Sequence, residues 1–412
     1  MVSISPDELA IELLNQCLRG NAHSPDLLET LVRMALSKDP ELARKASHSL
    51  FRIVVERLAD LFEPCLCDAY AALFCEVIAQ AIPELSAEPL LDRYRRVRLP
   101  RRFEGATERV RRVYVLSRVT LGADVAITSQ ALNAAKRRFP GAEIIFAGPR
   151  KNYELFDADS RIGLLETGYH REGTLEQRLA VFGKLRDAFG QPGSLVIDLD
   201  SRLTQLGMLP LCPDEQYFFF ESRSFGGLGS ETLSALTSRW LADTFSVERP
   251  RPYISVRGQG PEAEITVSLG VGENPAKRIG DEFERNLMIE LSRLGETVLA
   301  DRGGSRDEAA RVDQAMRSLH NVRAWTGAFA PFASSIAHSR LYCGYDSAGQ
   351  HVAAACGTPL LAIFAGHVSA RMFHRWRPEG TGPIKVIRAD APNSSVVLRQ
   401  VRDYLPALYE RP

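Results

Sequence analysis

The chain has 412 residues, of which 45% are hydrophobic and 25% charged, as is typical of a globular protein with two or three domains. Its 51 Lys and Arg residues balance its 51 Asp and Glu residues, so no overall field favours nucleic acid or an anionic membrane. The first residues show no signal-peptide pattern, and no apolar run in the sequence approaches the ~20 residues of a membrane-spanning helix. We therefore expect a cytoplasmic protein that binds no nucleic acid.

Residues 1–92 are predicted to form an all-helical domain. Pro and acidic residues follow Ser5, Ser24 and Asp39, which is typical of helix starts because Pro fits the first turn and acids favour the positive helix end. The predicted helices are Glu8–Leu18, a second from Ser24 to Leu36, a third from Asp39 to Leu61, and Cys67–Ile82.

Seven cysteines are scattered along the chain, as is typical of reduced thiols. Cys65, Cys67 and Cys75 are close enough in sequence to raise the question of a metal site. They lack a paired C-x-x-C spacing and lie in an apolar helical pattern, which favours buried small side chains over metal ligands.

Residues 93–112 carry nine arginines and are predicted to link the helical domain to the next one. Two interpretations are open. The segment is either a solvated linker, the more ordinary reading of a charge run, or a basic patch for an anionic acceptor or partner. Together with the helices before it, the segment is a candidate for contact with a partner protein or with the surface of the inner membrane.

From Val113 onward, strands alternate with helices, as in doubly wound parallel sheets. The pattern runs through residues 113–250 and again through 251–412. The predicted fold class is therefore α/β, with two Rossmann-like domains facing a cleft, preceded by the all-helical domain. The predicted strands are Val113–Leu116, Glu143–Ala147, Ser194–Leu199, Ile265–Leu269, Thr297–Ala300, Leu341–Gly344, Leu360–Phe364 and Ile384–Ile387. The helices predicted between them are Ser129–Phe139, Leu175–Phe189, Gly280–Leu294, Ser305–Leu319, Pro331–His338, one from Gln350, and Ser394–Leu408.

The most informative segment begins at Leu341 and reads as strand, polar turn, small-residue helix and second strand. Asp346, Ser347 and His351 lie where the strand leads into the helix N-terminus, whose outward N–H groups and positive dipole end suit a phosphate. These side chains could also hold a sugar, so the segment predicts a nucleotide-sugar site. The structural alternatives are that Asp346 and Ser347 form an ordinary helix N-cap and that His351 is a buried histidine.

Four stretches of the chain together match a known family. They are Gly122–Leu132 with Arg138–Ile144, Leu195–Leu199, Ser268–Arg278, and Thr326–His351. From about Val113 to Asp390 the sequence resembles the heptosyltransferase-like glycosyltransferases of family 9, which have the GT-B fold. It departs from the family pattern at Ala123 and Ala348, which replace glycines that here lie one step away, at Gly122 and Gly349.

The resemblance implies an inverting, metal-independent transfer without a resident cofactor. The implied donor is ADP-heptose or a related nucleotide diphosphate sugar, and the implied acceptor is a saccharide, a glycolipid or another hydroxyl compound. The donor-binding residues that it implies are Gly270, Gly272, Asn274, Lys277, Glu308, Asp346, Ser347, Gly349 and His351. In these roles Lys277 balances the charge of the leaving diphosphate, and Glu308 reaches a ribose. The ordinary alternatives are that Lys277 is a solvated surface lysine and that Glu308 is an acidic residue at a helix start.

Asp124 is the predicted general base, because a carboxylate beside the acceptor hydroxyl can take its proton as the new bond forms. Its structural alternative is an N-cap of the helix that follows. Asp198, at the end of its strand, is an acceptor-side candidate, although a structural cap is the more ordinary role there. Arg375 and Arg377 are either phosphate partners or parts of an exposed loop.

Two other functions fit the same fold. Some GT-B proteins epimerise or hydrolyse nucleotide sugars, and a catalytic His or acid pair facing the donor in a closed cleft would favour that reading. The other is a non-catalytic sugar-binding protein whose N-terminal helices contact a partner. The charged residues Asp124, Lys277, Asp346 and His351 favour an enzyme, because a binding scaffold has no physical need for them.

Overall fold

The structure is a computed structural model that describes residues 4–20, 23–272, 274–390 and 393–410. The N-terminal part is helical, as predicted. Its helices are α1 Pro6–Leu18, α2 Pro25–Ala35, α3 Pro40–His48, α4 Glu56–Asp60, α5 Pro64–Ala81 and α6 Ala87–Val97. A π-helical segment, Ser49–Val55, joins α3 to α4, so the predicted third helix is continuous but widened in the middle.

The helix starts follow from local capping. The Ser5 hydroxyl accepts a hydrogen bond from the Glu8 amide, and the Ser5 amide donates to the Glu8 carboxylate, which completes a capping box. The Asp39 carboxylate likewise accepts from the Glu41 amide. These contacts lie within three residues of each other, which is why the sequence predicts them. Helix α6 was not predicted, and its last turns fall in the segment predicted as a linker.

Helix α5 is the central core helix of the N-terminal part. Its 18 residues have a mean hydropathy of 1.2, so by length and composition it could cross a membrane, contrary to the expectation that no run is long enough. Half of it is buried within the protein, including Tyr70 and Phe74, which stack on each other. Cys67 and Cys75 are buried, whereas Cys65 is exposed. Across the described ranges, no cluster of three or more His, Cys, Asp and Glu residues is arranged to hold a metal ion.

The first Rossmann-like half has five parallel strands in the order β3-β2-β1-β4-β5. The strands are β1 Arg112–Leu116, β2 Glu143–Gly148, β3 Ile162–Glu166, β4 Ser194–Asp198 and β5 Tyr217–Phe219. The helices are α7 Leu121–Ala123, α8 Ser129–Arg138, α9 Arg150–Tyr153, α10 Leu175–Leu179, α11 Val181–Phe189 and α12 Leu233–Phe245. A π-helical segment, Asp124–Thr128, connects α7 to α8. All five side chains of β4 are buried, as expected for a strand covered on both faces.

The second half has six parallel strands in the order β11-β10-β9-β6-β7-β8. The strands are β6 Ile265–Ser268, β7 Val298–Asp301, β8 Val322–Trp325, β9 Leu341–Tyr345, β10 Leu360–Ala365 and β11 Ile384–Ala389. The helices are α13 Asp281–Leu294, α14 Arg306–Met316, α15 Phe329–His338, α16 Ala348–Cys356, α17 Ala370–Trp376 and α18 Ser394–Tyr409. In both halves the strand order reverses beside the first strand, between β1 and β4 and between β6 and β9, and ligands bind at such switch points.

The N-terminal helices and the first sheet share an apolar core. One apolar core contains Phe74 of α5 together with Tyr114 of β1 and Phe189 of α11, so the helices pack directly on one face of the first sheet. The Tyr70 hydroxyl also donates a hydrogen bond to the Gln205 carbonyl. The helices are therefore a layer of the first half and not a separate appendage.

The arginine-rich segment joins these layers. Arg93, in α6, is buried, donates to the Gly207 carbonyl and lies 3.0 Å from the Asp214 carboxylate. Arg96 pairs with the same carboxylate at 3.1 Å, and Arg98 lies 3.3 Å from the carboxylate of Glu221. The part of 93–112 that belongs to α6 is thus packed on the first half, whereas residues 99–111 are mostly exposed, as predicted for a solvated linker. Arg93, Arg96 and Arg98 hold the helices on the sheet.

Helix α17 connects the second half back to the first. Arg375 is 1% exposed and donates to the carbonyls of Phe225 and Gly227 at 3.1 Å and of Glu231 at 3.3 Å. Burial lowers the pKa of Arg375 to about 10. The interpretation of Arg375 as a phosphate partner is therefore wrong, because its N–H groups bind carbonyls of the opposite half.

Candidate active site

The loops after β6 and β9 converge at the switch point of the second sheet. The Lys277 ammonium lies 2.6 Å from the Asp346 carboxylate and 3.3 Å from the Asp346 carbonyl oxygen. The two residues are 69 positions apart in sequence, and both side chains are mostly buried. The predicted convergence of these loops is thus confirmed.

The loop that carries Lys277 is shaped by its neighbours. The Asn274 side-chain oxygen accepts a hydrogen bond from the Ala276 amide at 3.1 Å and begins the short helix Pro275–Lys277. Gly366, in the turn after β10, has φ +63°, and a Cβ there would overlap the backbone of Ala276 and Lys277. Asn274 therefore acts as the cap that forms this loop, and Gly366 leaves the space that the loop occupies.

The loop after β9 is organised by Asp346. Its second carboxylate oxygen accepts a hydrogen bond from the Gln350 side chain at 2.5 Å. Ser347 precedes α16 without a side-chain cap, and its hydroxyl lies 3.4 Å from the Tyr342 hydroxyl. Gly349 packs so closely on Tyr342 that a Cβ would overlap the phenol. The N-cap alternative for Ser347 is therefore not what the structure shows, and the first-turn amides of α16 are not capped by that side chain.

Glu308 stands at the adjoining edge, above the ends of β6 and β7. Its carboxylate accepts a hydrogen bond from the Gly304 amide at 3.2 Å. A Cβ at either Gly270 or Gly303 would collide with this carboxylate. Gly270 is therefore needed where Glu308 approaches the loop, and Gly272, at φ +59°, is left-handed beside it. The structure brings Glu308 to the loop that carries Lys277, as the sequence predicts.

His351 lies at the junction of the two halves. It is 7% exposed, and its ring edge is 3.0 Å from the position of a Cβ at Gly122, so the glycine permits close approach of α7 and α16. Its ring centroid is 6.0 Å from that of Trp376. Burial lowers the pKa of His351 to about 4, with a smaller lowering from Lys277 and an opposing effect of Asp346. The imidazole is therefore neutral at pH 7 and can exchange hydrogen bonds but supplies no cation.

Asp124 is held by the loop after β1. Its side chain is fully buried, and one oxygen accepts hydrogen bonds from the Arg118 amide at 2.7 Å and the Thr128 hydroxyl at 2.6 Å. The other accepts from the Ser117 hydroxyl and the Asn152 amide group, both at 2.6 Å. Burial raises the pKa of Asp124, and the four hydrogen bonds oppose that rise. These contacts organise the loop after β1, and the assignment of Asp124 as general base stays a prediction.

Asp198 is also an internal cap. It is fully buried and accepts hydrogen bonds from the Ser201 amide at 2.8 Å, the Thr204 hydroxyl at 2.6 Å and the Tyr217 hydroxyl. Burial raises its pKa to about 6 against the effect of these donors. Its neighbour Asp200 is held by Arg223 at 3.0 Å. The structure thus shows the capping role of Asp198, and its acceptor-side role stays a prediction.

Sequence reasoning missed two residues at the junction. The Arg118 side chain donates to the Leu199 carbonyl at 2.8 Å, and its guanidinium lies 5.9 Å from the ring centroid of Trp376. Phe62, from the turn between α4 and α5, packs edge-on against Trp376 with 6.4 Å between centroids. Arg118 directly follows the first strand, a signal that could have identified it. The ordinary sequence around Phe62 contains no comparable signal.

The fold and a family profile place this site among known proteins. Residues 285–384 match the family described as glycosyltransferase family 9 (heptosyltransferase). The structure is similar to that of a family 9 glycosyl transferase from Veillonella parvula, with a TM-score of 0.56 and 14% identity over 73% of this chain and 97% of that one. It is also similar to the E. coli heptosyltransferase WaaC with ADP, with a TM-score of 0.55 and 16% identity over 72% of this chain and 99% of that one.

A further structure of the E. coli heptosyltransferase WaaC, with ADP-2-deoxy-2-fluoro heptose, gives a TM-score of 0.54 at 16% identity over 72% of this chain and 99% of that one. No curated protein sequence shows significant similarity to the chain. At these identities the structural likenesses establish the fold, and the profile match establishes the family likeness of the second half. The two Rossmann-like halves thus have the GT-B fold, and the predicted resemblance to the glycosyltransferases of family 9 is confirmed.

Proposed function

We propose that this protein is an inverting glycosyltransferase that moves a heptose-like sugar from ADP-heptose, or a related nucleotide diphosphate sugar, to a hydroxyl of a saccharide, glycolipid or other acceptor. The observation that carries the proposal is the contact of Lys277 with Asp346 at the switch point, where two loops from distant parts of the chain form one polar crevice. The family profile supports glycosyl transfer as the reaction class.

Stabilising the leaving diphosphate is the task of the second half. The Lys277 ammonium has three N–H donors, of which two are directed to oxygens of Asp346, so one is left for a phosphate oxygen. The first-turn amides of α16 add partial positive charge, and Ser347 adds a hydroxyl that no amide of the helix uses. The transfer that we propose needs no metal ion, because this cation and these donors balance the developing charge.

The other proposed contacts with the donor are assigned from the positions of Glu308, Asp346 and His351. Glu308, between Gly270 and Gly303, is proposed to accept hydrogen bonds from the ribose hydroxyls. Asp346 keeps Lys277 oriented and presents its free lone pairs to the sugar. Neutral His351 donates a hydrogen bond near the diphosphate without adding charge. The E. coli enzyme WaaC, which shares the fold, has been solved with ADP and with a fluorinated ADP-heptose, and this supports an adenosine diphosphate sugar as donor.

In the proposed step the acceptor oxygen attacks the anomeric carbon from the face opposite the diphosphate. The new carbon–oxygen bond forms as the bond to the phosphate oxygen breaks, the electron pair leaves with the diphosphate, and the acceptor proton passes to a carboxylate. Inversion follows from this single displacement. The proposed location is the cytoplasm, where the free thiols of buried Cys67 and Cys75 stay reduced.

A thermal-shift titration tests the donor assignment. ADP and ADP-heptose are expected to raise the melting temperature of the wild-type protein, because a ligand bound only by the native state stabilises it by about 2.7 kcal/mol at a hundredfold excess over Kd. Lys277→Ala is expected to abolish the shift. Lys385→Ala is the matched control, because Lys385 is exposed near the start of β11 in the same half. A folded wild-type protein that responds to no nucleotide diphosphate refutes the proposal.

A further inference from the structure

Two arginines meet at Phe373, near the carboxyl ends of β10 and β11. Phe373 of α17 packs edge-on against Phe364 of β10, with 5.3 Å between ring centroids, and Phe364 is paired in register with Arg388 of β11. The centroid of the Phe373 ring lies 5.0 Å from the guanidinium carbon of Arg388 and 5.9 Å from that of Arg377. The packing of α17 on the sheet thus brings two guanidinium groups from different segments to one aromatic ring.

Two histidines complete what we call the basic cluster, which consists of His367, His374, Arg377 and Arg388. The ring centroids of His367 and His374 are 5.6 and 5.3 Å from that of Phe373. Burial lowers the pKa of His374, and the two arginines lower it further. Both guanidinium groups therefore lie near this imidazole, and positive charge is concentrated around it.

The protein leaves hydrogen-bonding groups of the cluster unused. The His367 side chain is 9% exposed, and its Nδ1 atom is buried without a partner, as are Nδ1 of His374 and Nε of Arg377. Within the ranges that the structure describes, the Arg377 guanidinium contacts no carboxylate and donates no hydrogen bond. Buried polar atoms without partners are costly, and a ligand that supplies acceptors to their side chains removes part of that cost.

An acid also touches the cluster. Among the described residues this is Asp390, whose carboxylate lies 2.7 Å from Nε of Arg388 and 3.0 Å from Nε2 of His367. The contact uses Nε of Arg388 and leaves its terminal nitrogens open. The Asp390 side chain is 63% exposed, and such a pair contributes little energy that a ligand would have to displace. One carboxylate also cannot balance two guanidinium groups.

The basic cluster adjoins the donor loops. It begins directly after Gly366, where a Cβ would lie 2.7 Å from the backbone nitrogen of Lys277. Trp376, in the same helix as His374, has its ring centroid 6.0 Å from that of His351. The helix also donates hydrogen bonds to carbonyls of the first half. An anion held by the cluster would therefore lie beside the donor loops, where the second half meets the first.

We propose that the basic cluster is an anion-binding site that takes a phosphate or carboxylate group. The planar guanidinium forks of Arg377 and Arg388 match the oxygens of either group, and each imidazole can add an N–H donor. The proposed source is an anionic group on the acceptor, because the donor diphosphate is assigned to Lys277 and the amides of α16. That source rests on the function proposed above, whereas the binding of an anion does not.

A thermal-shift titration of the full chain with inorganic phosphate tests the site, at constant ionic strength and with saturating ADP to fill the donor crevice. Phosphate is expected to raise the melting temperature further, because a ligand bound only by the native state stabilises it. Arg377→Gln and Arg388→Gln are each expected to weaken phosphate binding about tenfold or more, because charge-assisted hydrogen bonds are lost. Arg399→Gln is the matched control, because Arg399 is exposed on α18 of the same half, and it is expected to keep the wild-type response.

A second arm separates the two sources of the anion. Glucuronate and glucose differ by one carboxylate, so they are titrated in the same way as phosphate. Glucuronate is expected to raise the melting temperature, glucose is not, and Arg377→Gln is expected to lose the glucuronate response. A response to phosphate without one to glucuronate would keep the anion site and overturn its assignment to the acceptor.

Two results would overturn the site itself. One is a folded wild-type protein that responds to neither phosphate nor glucuronate. The other is a phosphate response that Arg377→Gln and Arg388→Gln both retain, because the anion then binds elsewhere. Lys277→Ala, titrated without ADP, is expected to keep the phosphate response. If the wild-type protein binds phosphate through the cluster but no nucleotide diphosphate, the proposed function fails and the anion site stands.

Discussion

At the carboxyl edge of the second sheet, Lys277 and Asp346 contact each other across two loops and leave donor and acceptor positions unused. At the corresponding edge of the first sheet, Asp124 and Asp198 direct every carboxylate oxygen to the protein's own donors. Both pairs follow parallel strands near a switch point. The comparison shows that carboxylates at similar positions in the fold differ in how completely the protein's own donors occupy them.

The largest effect is expected from removing the buried carboxylate of Asp124. Asp124→Ala would leave four donors without an acceptor inside the protein, so the free energy of unfolding is expected to fall by about 3 kcal/mol or more. Asp92→Ala, on a half-exposed side chain that lies 3.2 Å from Arg95, is expected to change it by less than about 1 kcal/mol. Urea unfolding measures both. A stable Asp124→Ala protein that binds ADP without turnover would instead support the prediction of Asp124 as base.

The junction between the two edges can be probed through the titration of His351. Its pKa is about 4 in the folded protein, below the ordinary value of 6.5. The unfolded chain therefore takes up the proton first, and stability from the neutral imidazole is present above pH 6.5 and lost as the pH falls toward 4. Asp198, with a folded pKa raised to about 6, contributes in the opposite direction between about pH 6 and 3.8.

Because these two contributions oppose each other, His351 must be isolated by comparing wild type with His351→Gln. The difference in unfolding free energy between the two proteins is expected to shrink by on the order of 2 kcal/mol from pH 7 to pH 4.5. Denaturant midpoints at a series of pH values give this difference. A gap that does not change with pH would mean that the imidazole is not held neutral at the junction.

The smallest expected effect concerns the support of the loop that carries Lys277. Gly366 and Gly20 are both left-handed, at φ +63° and +73°, but a Cβ at Gly366 meets the loop that carries Lys277, whereas a Cβ at Gly20 meets nothing within 4 Å. Alanine at Gly20 is expected to cost about 1 kcal/mol in stability, and alanine at Gly366 more, because its Cβ also overlaps backbone atoms. Only Gly366→Ala is expected to weaken ADP binding as well, by about tenfold or 1.4 kcal/mol. Equal ADP affinity in both variants would show that the turn after β10 does not support the loop.

Elements defined by local sequence were predicted well. The capped starts at Ser5 and Asp39 and the buried strands β1, β4, β6 and β10 depend on residues close in sequence. Strands β3 and β8 lie at sheet edges, where part of each strand is exposed, and β5 has only three residues. Their apolar runs are short, so pairing with a neighbouring strand supplies much of the order.

Residues of the candidate site also differ in how well the local sequence predicts them. The motif around Asp346 combines a strand end, small residues and polar groups within a few positions, so its place at the donor edge was readable. Asp124 has a similar local signal, yet its hydrogen bonding depends on Asn152, 28 residues away. The packing of Phe62 against Trp376 joins residues far apart in the chain, which no local pattern indicates.

The two Rossmann-like halves, the family likeness and the loops around Lys277 and Asp346 could be predicted from the residues alone, because periodicity and motif spacing act over short distances. The packing of the N-terminal helices on the first sheet and the hydrogen bonding of Asp124 and Asp198 are seen only in the folded chain. A carboxylate's chemistry depends on desolvation and on hydrogen-bond donors from distant segments. Those exist only once the chain has folded.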